Sequence, residues 1–179
     1  MPNYCYNRLF AKREFIDKYL DNDGDFNFNK LIPMPESYRD VECSTDTYAS
    51  VYRYVVKVKK DLDLWNRIAE DPFLLDKKGS LYANGDSTLN RYDEEMAKKA
   101  VSNYNKYGSL TWYEWANKHW GVKWNASNTK VIAINGDNEC IQFITAWRPP
   151  YGVIKALRAI NPELKWFYRT EDGEEWTEA

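Results

Sequence analysis

Lys130-Val131-Ile132-Ala133-Ile134-Asn135-Gly136-Asp137-Asn138-Glu139-Cys140-Ile141-Gln142-Phe143-Ile144-Thr145-Ala146-Trp147 is the most legible stretch of this chain. Two apolar, β-branched runs, 130–134 and 140–147, flank Asn-Gly, the strongest short-range signal for a β-hairpin. Downstream, Pro149-Pro150 opens a helix, since proline suits the first helical position. Val153, Ile154, Leu157 and Ile160 form its apolar stripe and Asn161-Pro162 ends it. A strand then runs from Leu164 to Thr170. The tail 171–179 places Glu171, Asp172, Glu174, Glu175 and Glu178 around Trp176 and reads as a solvated edge or a loosely packed end.

The front of the chain supplies the matching half. Tyr4, Tyr6 and Arg8 alternate with Cys5, Asn7 and Leu9, the period of a strand. From Lys12 to Leu20 the residues Phe15, Ile16, Tyr19 and Leu20 share one helical face. Strand–helix in front and hairpin–helix–strand behind make an interrupted β-α-β-β-α-β. The expected class is α+β: a ferredoxin-like antiparallel sheet with helices on one face and a mainly helical insertion. Residues 1–43 hold the first strand and helix with a Pro-rich exit at Pro33 and Pro35, 44–120 the insertion, and 121–179 the remainder of the domain with its acidic tail.

Within the insertion, Tyr52, Tyr54, Val56 and Val58 alternate like a strand. Tyr48, Val51, Tyr52, Val55, Val58, Leu62, Trp65 and Ile68 keep helical spacing for longer, and length decides for helix, broken near Asp61. Residues 71–90, rich in Asp, Gly, Asn and Ser, read as a surface loop. Arg91 to Tyr107 reads as a helix with Tyr92, Met96, Ala100, Tyr104 and Tyr107 inward and Gly108 as its stop. Thr111-x-x-Glu114 is a capping box for another helix, ended at Gly121.

At 179 residues the chain is long enough for a sizeable core without disulfide or metal staples. Its 25 Lys and Arg against 27 Asp and Glu show neither the basic excess of a dedicated nucleic-acid binder nor the acidity of a DNA mimic. Cys5, Cys43 and Cys140 are odd in number and unpaired in spacing. With no signal-peptide pattern and no bilayer-spanning apolar run, the chain is expected in the cytosol with free thiols and no membrane association.

Chemistry-bearing patterns are sparse. Asp21, Asp23 and Asp25 suggest a calcium loop, but Phe26 stands where its Gly belongs and Ile32 where its Glu belongs, so a turn is the better account. His119 is the single histidine, which argues against a metal site, and its place at a helix end favours a structural role beside the helix dipole. No phosphate loop, nucleophile elbow or dinucleotide fingerprint is present. No catalytic residue, metal ligand or cofactor is therefore assigned. Five of the eight tryptophans fall within 111–150. Trp120, Trp124 and Trp147, with Lys123 lying along an indole, read as packing; exposed together, Trp120, Lys123, Trp124, Trp147 and Arg148 would form a binding hot spot.

Four blocks carry a resemblance to a known family: Met1-Pro2-Asn3-Tyr4-Cys5-Tyr6-Asn7-Arg8-Leu9, Phe28-Asn29-Lys30-Leu31-Ile32-Pro33-Met34-Pro35, Trp120-Gly121-Val122-Lys123-Trp124-Asn125-Ala126 and Thr145-Ala146-Trp147-Arg148-Pro149-Pro150. In this order they resemble the YubB-type ferredoxin-like family of phage and plasmid proteins. Tyr4 stands where that family often has Trp, Val122 where it has Thr, and Arg148 where it has Ser. The resemblance implies a ferredoxin-like domain and an origin on a mobile element, and transfers no catalytic residue. The expectation is a non-enzymatic accessory protein in the host cytosol that binds a host protein or protein complex, with modulation of host defence as the implied role. The alternative is a nucleic-acid-binding module using Tyr4, Tyr6, Phe143 and Tyr168 on the sheet with Lys57, Lys59, Lys60, Lys98 and Lys99 nearby; a further one is an enzyme with an unrecognised site.

Overall fold

The computed structural model describes residues 3–72, 92–135 and 138–179. Most of the loop expected over 71–90, and the Gly136-Asp137 turn, lie outside the described residues. In chain order the elements are β1 (Tyr4–Lys12), α1 (Arg13–Ile16), α2 (Thr45–Tyr52), α3 (Leu62–Ala69), α4 (Glu94–Tyr107), α5 (Trp112–His119), β2 (Ser127–Asn135), β3 (Asn138–Ala146), α6 (Tyr151–Ile160), β4 (Lys165–Thr170) and β5 (Thr177–Glu178). The chain divides into two compact units, Met1–Met34 with Ala116–Ala179, and Pro35–Trp115.

The first unit is an α+β sheet domain. Its five strands are ordered β2-β3-β1-β4-β5, each antiparallel to its neighbours. Strand alternation sets the faces: Cys5, Asn7 and Leu9 of β1 are buried, opposite Thr145, Phe143 and Ile141 of β3, and Leu9 also faces Trp166 of β4. Phe26 packs on Phe143 at 5.0 Å between ring centroids and Phe28 on Trp120 at 5.8 Å, while Phe143 meets Trp166 edge-on at 5.4 Å. Such pairs add about 0.5–1.5 kcal/mol each beyond area burial. Helix α6 buries Val153, Ile154 and Leu157, and its Tyr151 ring lies 6.4 Å from Tyr168 of the same sheet face.

The helix expected over 12–20 is corrected. Strand β1 runs through Lys12, and only Arg13–Ile16 is α-helical before a 3-10 turn over Asp17–Tyr19. Lys12 offers no side-chain cap, and Leu20 is extended to bridge Phe26, so the apolar spacing there serves a short turn and not a helix. The acidic cluster that follows is a turn held by Asp21, whose carboxylate accepts from the Asp23 and Asp25 amides. In the tail, Thr177–Glu178 pairs with Phe167 and Tyr168 as a short, exposed fifth strand at the sheet edge.

Two glycines allow a close backbone approach in this unit. Gly121, at φ +87°, ends the turn after α5, and a Cβ there would stand 2.9 Å from the Tyr151 nitrogen. A Cβ on Gly152 would stand 1.9 Å from the His119 carbonyl oxygen. The Gly152 amide donates to the Trp120 carbonyl across this crossing.

The second unit is helical, as its spacing predicts. Helix α2, capped by Ser44, widens into a π-helical stretch over Arg53–Val58; α3 restarts after Asp61, whose carboxylate caps Leu64. Helix α4 begins later than expected, capped by Asp93; Ala100 is buried as expected, Met96 and Tyr104 pack partly buried against the core, Ala97 and Val101 join them inside, and Tyr92 stays outside. Val51, Val55, Leu64, Trp65, Ile68 and Leu110 complete its core. The capping box forms: the Thr111 amide donates to Glu114 at 2.7 Å, and the buried carboxylate also takes the Tyr48 hydroxyl. No helix among the described residues is long and apolar enough to cross a membrane.

Candidate functional site

Two surfaces of the sheet unit bring functional side chains together. The first begins where β3 ends. Trp147 adopts φ +72°, a left-handed conformation that costs a residue with a Cβ roughly 1–2 kcal/mol. The turn is pinned nonetheless. The Trp147 amide donates to the Asn3 carbonyl at 2.9 Å and the Thr145 hydroxyl to the Arg148 carbonyl at 2.8 Å. Thr145 in turn accepts from the Asn7 amide at 2.9 Å, and Asn7 accepts from the Trp166 indole N–H at 3.1 Å. A buried relay across three strands thus holds a strained tryptophan whose side chain is 55% exposed.

Trp124 leaves the same end of the hairpin. It lies three residues before Ser127, whose partner Ile144 lies three residues before Trp147. Trp124 is 47% exposed, with the Lys123 ammonium 3.7 Å above its ring. Arg148 is exposed and reaches Asn117 at 3.5 Å. Trp120, by contrast, is 4% exposed, packs on Phe28 and donates to the Ile32 carbonyl at 3.0 Å. Of the five residues singled out in the sequence, Trp120 belongs to the core and the other four reach the surface. Asn125, between them, accepts from the Phe28 amide and donates to Asn27. That contact and the Trp120 bond join the second and third sequence blocks.

The second surface is the sheet face opposite the aromatic core. Register places Lys130, Gln142, Arg8 and Phe167 in one row across β2, β3, β1 and β4, and Ile144, Tyr6 and Arg169 in the next. Lys130, Gln142, Arg8, Tyr6, Arg169 and Trp176 line a concavity of about 610 Å³ that contains no carboxylate. The Arg8 guanidinium sits 3.9 Å from the Trp176 ring centre, and that of Arg169 sits 5.3 Å from Tyr6 and 5.7 Å from Trp176. The Nε of each arginine is shielded and has no hydrogen-bond partner among the described residues.

The platform expected from Tyr4, Tyr6, Phe143 and Tyr168 is therefore corrected. Phe143 is buried in the core and Tyr168 shares its face, while Tyr6 points the other way. Of the lysines grouped with them, Lys98 pairs with Glu94 and Glu95, Lys99 with Asp40, and Lys57 and Lys59 lie over Tyr52 and Tyr54. Period-two alternation already put Arg8 beside Tyr6; the return of Trp176 across the sheet had no local signal.

Burial raises the Cys5 thiol to about 11, with a bond to Thr145 lowering it in part, and burial also raises Cys140, opposed by Arg8. Neither is poised as a thiolate nucleophile. Partial burial and then Lys118 lower the His119 imidazole, which disfavours the cationic form expected at a helix end. Among the described residues no three His, Cys, Asp or Glu side chains cluster as metal ligands.

No protein-family model and no curated protein matches the chain. Among solved structures, it is similar to the crystal structure of protein api92 from Yersinia pseudotuberculosis, family model DUF1281: 10% identity, 100% of this chain and 98% of that chain covered, TM-score 0.40. A likeness at that level carries no weight for fold or role.

Proposed function

We propose that this chain is a non-enzymatic accessory protein of a phage or other mobile element that acts in the host cytoplasm by binding a host protein or protein complex, in modulation of host defence. The observation that carries the binding role is Trp147: an exposed aromatic in a strained backbone conformation, fixed by a buried hydrogen-bond relay. Strain of this kind concentrates at functional sites, and tryptophan and arginine dominate binding hot spots. Trp124, Lys123 and Arg148 extend the same edge. The mobile-element origin rests on the four sequence blocks, two of which build this edge. A ferredoxin-like sheet domain is part of the proposal. It is supported by the order β2-β3-β1-β4 with the β2–β3 hairpin and a helix between β3 and β4; β5 is an addition to that four-stranded pattern, and α1 is too short for a full crossover helix.

Trp147→Gly separates function from folding. Glycine adopts positive φ freely, so the variant should melt no lower than the parent while losing its partner. The experiment is affinity capture from bacterial host lysate, with and without nuclease, using the parent, Trp147→Gly and Trp124→Ala. A stoichiometric protein held by the parent and lost by both variants is the expected result. A partner retained by both variants, or capture that disappears with nuclease, would overturn the assignment.

A further inference from the structure

We infer that the open sheet face built from Tyr6, Arg8, Lys130, Gln142, Arg169 and Trp176 binds a single strand of nucleic acid. This surface is separate from the Trp147 edge and does not depend on the role proposed for it. Three cations line the concavity, and no ion pair within the described residues neutralises them. Lys12 and Lys165 alternate onto the same face. By register Glu178 stands two strands from Arg8, beside Phe167, roughly 10 Å away at sheet spacing and too far for a direct pair.

The kind of polyanion follows from the side chains between the cations. Tyr6, Phe10, Phe167 and Trp176 interleave with them, and Phe10 meets Phe167 edge-on at 5.7 Å. A duplex offers phosphates but hides its base faces, which leaves these aromatics without a role. A single strand offers both, and its unstacked bases lie on aromatic rings or on guanidinium planes. Arg8 and Arg169 already lie over rings, and a guanidinium placed on this face offers the charge and N–H donors that a phosphate oxygen accepts from. The lysine and arginine of one row stand on strands two apart, about 10 Å, so they track a chain and do not enclose a single phosphate.

The test is fluorescence anisotropy of labelled 12-nucleotide single strands, RNA and DNA, against the duplex of the same sequence, across a salt series. The parent should prefer the single strand. Arg8→Gln and Arg169→Gln should each weaken binding several-fold and flatten the log–log salt slope by about 0.7, the value for one lost phosphate contact on a single strand. Arg8→Lys, which keeps the charge, should fall between parent and Arg8→Gln, and Trp147→Gly should bind like the parent. Thermal melts confirm that each variant is folded. Equal affinity for duplex, no binding at about 100 µM protein, the weak end of electrostatic association, or an unchanged slope in both arginine variants would overturn the assignment.

Discussion

Asn7→Ala is expected to cost the sheet unit about 2–4 kcal/mol. Asn7 is fully buried, donates to the Cys5 carbonyl and the Thr145 hydroxyl, and accepts from the Trp166 indole. Truncation strands the indole N–H in a dry core, at about 1–3 kcal/mol. The lost amide also leaves a void of roughly 40 Å³, worth about 1 kcal/mol at the usual cavity coefficient. For a chain of this length the total corresponds to a drop of about 4–16 °C in Tm. Asn7→Leu refills most of the void without satisfying the indole, so it isolates the polar part. Adding Trp166→Phe removes the stranded donor, and the two changes together should cost at least about 1 kcal/mol less than their sum. Urea unfolding followed by circular dichroism gives the three values. Additivity of Asn7→Leu and Trp166→Phe within about 0.3 kcal/mol would refute the relay as an energetic unit.

Gly152→Ala forces a Cβ into the His119 carbonyl, where backbone faces backbone and neither side can yield as a flexible side chain would. It should destabilise the sheet unit by about 3 kcal/mol or more in the same assay, and a loss under about 1 kcal/mol would mean the crossing is looser than described. Cys5 predicts an alkaline limb. Its folded value near 11 lies above the ordinary 9.0, so its contribution is whole below pH 9 and lost as pH rises toward 11. The loss is on the order of 2 kcal/mol. Buried Tyr38 and Tyr48, also raised by burial, add to the same limb. Stability of Cys5→Ala should therefore fall less steeply over that window than that of the parent, and parallel profiles would count against the assignment.

What could be read from the sequence was local. The hairpin, helix α6 and strand β4 follow from periodicity and punctuation that need no knowledge of distant residues. The break at Asp61 and the capping box at Thr111 are likewise written within a few positions. Helix α1 failed because four apolar residues at helical spacing also fit a strand end, a tight turn and a bridge to Phe26, and only the tertiary partner decides. Trp120 and Trp124 show the same limit at the site. Four residues apart in one aromatic run, one is core and the other surface, because Phe28 and Ile32 arrive from nearly ninety positions upstream. Arg169 and Trp176 carry no local signal, because the face they share with Arg8 exists only once β4 has paired with β1 and the tail has folded back.

The two margins of the sheet have a consequence for how any partner can dock. Strand β2 forms one margin, and its pairing with β3 is interrupted between Ser127 and Lys130 and again between Ala133 and Asn135. Strand β5 forms the other, two residues long and carrying Glu178. A kinked border and a short acidic one both make poor templates for strand donation. Neither a second copy nor a foreign peptide can readily zip onto this sheet through its main chain. Recognition is thereby left to side chains on its faces and turns.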